Sequence, residues 1–373
     1  MRDTRGSRFF RAPGRVNLIG DHTDYAEGLV LPMAIDRECI VGCTPGADAV
    51  VRARSADLDG DAVCRTDGRD DPRTFEPQWG RFVVGAVQGL VERGVVIPPV
   101  ELTVSSSVPV GSGLSSSSAL SVALVLTLAG AAGVVLDRTD IARTALDAEV
   151  RATGVPGGLM DQMTAVFGVV DHALLIDCRT LSVEPIRLPD EVVVLVAHSG
   201  VARTLAASAY AERRTATERA AATLGLRALR DATFEQVRDD PRARHVVSEN
   251  ARVEEFASAL RSRDVGRLGS LLLASHASLR DDFEVSTPEL DALVGAFMDA
   301  GALGARLTGA GFGGCAVALA DREEAEAVVR RTPGGYRART GRDVEPFAVH
   351  AVDGAGPTSS RAGRPSSSRT RPG

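Results

Sequence analysis

Apolar residues follow two rhythms along this chain. In the first half, short runs rich in β-branched residues at 9–10, 16–19, 29–31, 39–44 and 50–54 are separated by Gly, Pro and Asp, and they predict strands. Residues 79–93 have helical spacing, and 100–104 alternate as a strand does. A serine-rich loop follows, then an almost unbroken apolar stretch over 119–136. Thr139 is placed to cap the next helix, which runs to about Arg151 and is ended by Gly154 and Pro156. From about 210 to 300 the pattern is mainly helical, with Ala- and Arg-rich amphipathic segments, and strands return at 315–320 and near 347–352.

This order predicts an α+β fold of two domains, with mixed sheets and packed helices in each. The boundary falls at residues 1–190 and 191–352. Residues 353–373 contain mostly Ser, Arg, Pro and Gly and predict a disordered tail. The 119–136 stretch is long enough to suggest a membrane helix. It is rich in Ala and Gly, carries Ser121 and Thr127, and has no flanking basic loop, so a buried core helix is expected.

Charge and cysteine content narrow the partners. A net charge of −6 without a basic block in the body of the chain argues against nucleic acid. Five cysteines in no CxxC pair point to reduced thiols in a cytoplasmic protein, and no secretory signal opens the chain. Every basic residue is arginine. A Schiff base, a lysine general base and a Walker-type phosphate lysine are therefore excluded.

Three segments carry the candidate chemistry. GRVNLIGDHTDYAEGLVLP, residues 14–32, sets Arg15, three carboxylates, His22, Thr23 and Tyr25 between two apolar runs, a pattern that fits either a grip on a small polar ligand or a solvated turn at Gly20-Asp21 and Glu27-Gly28. VPVGSGLSSSSA, residues 108–119, lies between a strand and a helix. Free amides at a helix N-terminus, close-approaching glycines and serine hydroxyls make this a phosphate site, although it is not a GxxxxGK[ST] loop. GAGFGGC, residues 309–315, fits a GxGxxG count. A strand rather than a helix follows it, so it is read as a closing glycine turn and not a dinucleotide site. Asp161 opens a helix after Gly157-Gly158. There it is suited to a fixed carboxylate facing a ligand across the glycine turn, while Glu149, a loop serine and nucleotide phosphates, if brought together, would supply the oxygen ligands that magnesium accepts.

Together these segments resemble the galactokinases among the GHMP kinases. Residues 14–32 are similar to the family's sugar signature, 108–119 to its phosphate loop and LTGAGFGGC to its third motif. GVPGGLMDQ, LAASAYAERR and SHASLRDDFEVSTPELD extend the resemblance over about residues 8–352. It implies the two-domain GHMP kinase fold and an ATP-dependent galactokinase that makes galactose 1-phosphate, acting as a monomer with ATP and Mg²⁺. Asp161 would accept the proton of the anomeric hydroxyl. Arg15 would hold that carboxylate ionised and stabilise charge on the transferred group. Asp21, His22, Thr23 and Asp24, with Gly158 and Tyr210, would bind the sugar. Gly111, Ser112, Gly113, Leu114, Ser115, Ser116 and Ser117 would wrap the ATP phosphates, with Ser117 and Glu149 on magnesium. Ser55 and Trp79 fall where the family contacts the nucleotide. Arginine at position 15 also separates the chain from mevalonate kinases, where a lysine fills a comparable role.

The chain departs from the family pattern at three positions. Asp21 stands where most galactokinases carry Glu, one methylene longer, which bears on sugar selection and not on reaction type. Ala26 replaces the usual Asn, and Ser118 stands where an alanine commonly follows three serines; neither is expected to alter the reaction. Two other readings are a GHMP kinase for arabinose or N-acetylgalactosamine and a non-catalytic galactose sensor. The intact phosphate loop, Arg15, Glu149 and Asp161 rank catalysis above sensing.

Overall fold

A computed structural model describes residues 8–109, 111–201 and 206–359. Two sheets organise them. The larger is built from β1 (Arg8–Ile19), β2 (Leu29–Pro45), β3 (Val50–Ser55), β4 (Ala62–Arg65) and β5 (Val100–Ser106), joined later by β6 (His172–Asp177) and β7 (Val183–Arg187). Its order is β12 (Gly356–Thr358), β1, β2, β5, β3, β4, with β6 pairing β2 and β7. The smaller sheet, entirely antiparallel, has the order β11-β8-β10-β9 and contains β8 (Val192–His198), β9 (Gly304–Leu307), β10 (Cys315–Asp321) and β11 (Phe347–Val349). The closing strand β12 (Gly356–Thr358) returns to pair with β1.

The helices α1 (Gly80–Glu92), α2 (Ser116–Ala131), α3 (Arg138–Thr153) and α4 (Met160–Phe167) pack with the larger sheet. Next come α5 (Ala206–Thr223), α6 (Phe234–Val237), α7 (Pro241–Ser262), α8 (Val265–Asp281), α9 (Pro288–Ala300) and α10 (Ala325–Thr340). Helix α2 is apolar around its whole circumference and touches β1, β2, α1 and α3, as a central core helix must. No helix among the described residues is long and apolar enough to cross a membrane.

Several local expectations change. The runs at 9–10 and 16–19 are one strand. A register shift between Pro13 and Arg15 absorbs the proline and glycine without ending the ladder. The runs at 29–31 and 39–44 likewise join through polar residues 36–38, which take the half-exposed part of β2. Asp137, not Thr139, caps α3, because its carboxylate accepts from the Asp140 amide. Gly154 ends that helix in the left-handed conformation, as expected. Helix α10 was not foreseen because Pro333-Gly334-Gly335 lies inside it. The buried Tyr336 anchors it by donating to the Ser199 carbonyl at 2.6 Å. The tail expected from 353 begins with ordered backbone: β12 is held to β1 by main-chain pairing, which polar composition does not prevent. Residues 360–373 lie outside the described part.

Candidate active site

The loop between β1 and β2 is fixed from below. Gly20 N donates to Glu249 Oε1 at 3.0 Å, and Leu29 N donates to Asn250 Oδ1 at 2.8 Å, both acceptors standing on α7. The Thr23 hydroxyl is fully buried and lies 2.8 Å from the Gly20 carbonyl and 2.7 Å from that of Leu29. It holds the turn closed and does not line the cavity above it. Glu27 faces away from the cavity, receiving Arg179 at 2.6 Å and Arg227 at 2.9 Å. His22 and Glu27 are left-handed at φ 66° and 58°, a conformation disfavoured without glycine and common at functional turns.

Each remaining polar residue of the loop has a distinct environment. Asp21 is buried against Arg306 and also accepts the Gly309 amide at 3.2 Å. Burial raises its pKa, against the pull of Arg306. His22 Nε2 donates to the Ala310 carbonyl at 3.2 Å, and in the neutral ring that burial favours Nδ1 accepts from the Tyr25 hydroxyl at 2.9 Å. Burial, reinforced by His245, lowers its pKa to about 3. Burial first, then repulsion from Asp161, raises Asp24 to about 6. Tyr210 packs against His22 and Tyr25 with ring centroids 5.6 and 5.5 Å apart, forming an aromatic wall. Gly158 lies directly against the Asp24 carboxylate; a Cβ there would stand 1.7 Å from Asp24 Oδ2.

Arg15 and Asp161 meet in a two-point ion pair. Arg15 Nε donates to Oδ1 at 2.7 Å and Nη2 to Oδ2 at 2.6 Å, while Nη1 donates to the Gly113 carbonyl at 2.7 Å. Ser115, left-handed at φ 61°, adds a 2.5 Å donation to Oδ2. Among the described residues Oδ1 accepts from Arg15 alone and keeps a lone-pair position that Oδ2 has given to Ser115. The start of α2 presents Ser116 and Ser117 beside them. Glu149, from α3, is buried; Ser117 donates to its Oε1 at 2.6 Å and Ser118 to its Oε2 at 2.8 Å. Burial raises its pKa, and these two donors oppose the rise.

These groups share one cavity of about 760 Å³. Its lining includes Arg15, Asp21, His22, Asp24, Gly111, Gly113, Ser115, Ser116, Ser117, Glu149, Gly158, Asp161 and Tyr210. Four expected residues are not brought to it besides Thr23. Ser112 donates back to the Pro109 carbonyl at 2.7 Å, and Leu114 is a core side chain. Ser55 accepts the Asp57 and Leu58 amides in a turn, and the Trp79 indole is packed in the core, donating to the Asp59 carbonyl at 3.1 Å. Ser118, Gln162 and His198 also line the cavity, and Gly309 and Ala310, from the glycine turn expected to close over a ligand, form one side. Of the first three, Ser118 stood out as a serine beyond the family motif, and Gln162 ended GVPGGLMDQ without an assigned role. His198 ends β8, a strand that the apolar pattern had not marked.

The comparisons agree with this geometry. The family model described as the galactokinase galactose-binding signature matches residues 2–45. Those for the GHMP kinase N-terminal and C-terminal domains match 81–169 and 256–337. The galactokinase of Roseiflexus sp. is 43% identical over 93% of this chain and 92% of its own length. That of Chloroflexus aurantiacus is 42% identical over 94% and 93%. The crystal structure of Lactococcus lactis galactokinase complexed with galactose superposes with a TM-score of 0.89 at 30% identity, covering 95% of this chain and 96% of that one. Methanococcus jannaschii mevalonate kinase shares the fold at 18% identity and a TM-score of 0.70, over 94% of this chain and all of its own. With its sugar loop, glycine–serine loop and paired Arg15 and Asp161 set around one cavity, the chain belongs to the galactokinase family of GHMP kinases.

Proposed function

We propose that this chain transfers the γ-phosphoryl group of ATP to the anomeric hydroxyl of galactose, giving galactose 1-phosphate and ADP. The carrying observation is the two-point contact of Arg15 with Asp161 on the wall of a cavity shared by the sugar loop and the start of α2. As the hydroxyl oxygen bonds to phosphorus and the bond to the β-phosphate oxygen breaks, the hydroxyl proton passes to Asp161, whose Oδ1 has the open lone pair. Arg15 orients that carboxylate through its two-point contact and offsets charge on the transferring group. The sugar is held by Asp21, Asp24, Gly158 and Tyr210, and by His22 once it exchanges its contact with Ala310. Main-chain amides at 111–117 and the dipole of α2 receive the phosphates.

The donor set suits magnesium. Ser117 and Glu149 offer oxygen only, and burial leaves the Glu149 carboxylate with neutral partners that a cation would complement. The described residues contain no group of three acidic, histidine or cysteine side chains that could hold a metal. Magnesium typically takes one or two protein oxygens and completes its shell with phosphate and water. A magnesium ion held by Ser117 and Glu149 would neutralise charge on the ATP phosphates. The reading places the enzyme in the cytoplasm, where ATP is available and the five unbridged cysteines stay reduced.

The test is an ATP-dependent phosphorylation assay over a panel of aldoses including galactose, arabinose and N-acetylgalactosamine. Galactose is expected to have the highest kcat/KM. A higher value for another sugar would overturn the substrate assignment, and no turnover with any sugar would overturn the reaction.

A further inference from the structure

We infer that Ser118 is a positioning residue for the divalent cation, acting through Glu149. The inference rests on the assignment of Ser117 and Glu149 as magnesium ligands. The two oxygens of Glu149 are treated unequally. Oε2 accepts from Ser118 Oγ at 2.8 Å and from Gln162 Nε2 at 2.7 Å, whereas among the described residues Oε1 accepts only from Ser117 at 2.6 Å. Gln162 also reaches Ser118 Oγ at 3.3 Å, closing a small ring of hydrogen bonds. Ser118 and Gln162 are each only 1% exposed, so water does not compete for these contacts.

With Oε2 occupied twice, a cation finds its open lone pair on Oε1, beside the Ser117 hydroxyl. Ser118 and Gln162 thus make Glu149 a one-oxygen ligand and hold it in register with Ser117. Partners that orient a ligand in this way commonly change metal affinity without touching the metal. Consecutive serines at the start of α2 divide the work: Ser117 Oγ meets the metal-facing oxygen and Ser118 Oγ the rear one. An alanine at 118 would leave Gln162 as the only donor to Oε2, and the carboxylate would be free to turn.

The experiment compares wild type, Ser118→Ala and Glu149→Gln by electron paramagnetic resonance titration of Mn²⁺ into the enzyme with a non-hydrolysable ATP analogue. Binding of the analogue without metal is measured alongside. Ser118→Ala is expected to weaken Mn²⁺ binding on the order of tenfold, with metal-free nucleotide affinity and melting temperature close to wild type. Glu149→Gln is expected to weaken it further. If Glu149→Gln lowers Mn²⁺ affinity and Ser118→Ala does not, the role of Ser118 is overturned while the metal assignment stands. If Glu149→Gln leaves Mn²⁺ binding unchanged, the metal assignment itself fails. Equal loss of metal-free and metal-dependent nucleotide binding in Ser118→Ala would mark a merely structural serine and also overturn the inference.

Discussion

Asp21 and Arg306 form an ion pair with almost no solvent contact, joining the loop after β1 to strand β9 of the other sheet. Arg306 also donates to the Leu18 carbonyl at 2.9 Å, so one guanidinium ties the end of β1 and the loop that follows it. The shorter side chain at position 21 therefore lies back on a fixed cation while still lining the cavity. Removing one partner of such a pair leaves an uncompensated buried charge, which costs about 3–5 kcal/mol. Arg306→Met is expected to lower the unfolding free energy by about that amount in urea titrations. A loss below about 1 kcal/mol would show that the loop does not depend on this tie.

Asp161 is held by Arg15 and Ser115, not by the sugar loop. Asp161→Ala is accordingly expected to remove turnover, lowering kcat at least about 100-fold, the usual share of a positioned proton acceptor. Galactose binding, measured by calorimetry, should remain largely in place because Asp21, Asp24 and Tyr210 are undisturbed. Undiminished kcat would remove Asp161 from the reaction.

How far the sequence reached depends on whether a residue's role is local. Arg15, Asp161 and the serines of α2 sit in contiguous motifs, and the cavity gathers them together. Ser118 was legible as a serine too many, but its link to Glu149 spans two helices and follows only from packing. Arg306 precedes a glycine-rich turn whose spacing says nothing about a carboxylate 285 positions earlier. Trp79 shows the converse: the family resemblance puts it at the nucleotide, yet it is packed into the core at the start of α1. In the fold, long strands were read as pairs of short ones because Pro13 and residues 36–38 look like breaks, and only the pairing partner shows otherwise.

Asp24 gives the ligand-free protein a pH signature. Its pKa of about 6 in the folded state lies above the ordinary 3.8, because burial and then Asp161 disfavour the charge. Below pH 3.8 the side chain is neutral whether folded or not, and its contribution is fully present. As pH rises toward about 6 the unfolded chain ionises first, and the folded state loses on the order of 3 kcal/mol. Asp24→Asn should remove this term. The stability of the variant relative to wild type is expected to climb between pH 4 and pH 7 in urea unfolding. A difference that does not vary with pH would show that Asp24 is ionised throughout.

Gly158 makes room for Asp24, and that requirement is steric. Its φ is outside the left-handed region, so the backbone itself would accept alanine. The obstacle is the Asp24 carboxylate, whose Oδ2 and Cγ would lie 1.7 and 2.2 Å from an added Cβ. The side chain must rotate away, and the hydrogen bond proposed between it and a sugar hydroxyl would be lost. Hydrogen bonds to charged groups contribute about 1.5–3 kcal/mol, equivalent to a roughly 10- to 100-fold change in affinity. Gly158→Ala is thus expected to raise the KM for galactose by about that factor while the KM for ATP moves little, because Glu149, Ser117 and the start of α2 are untouched. Parallel increases in both KM values would mean that the substitution disturbs α4 as a whole, and with it Asp161, rather than the seat of one carboxylate.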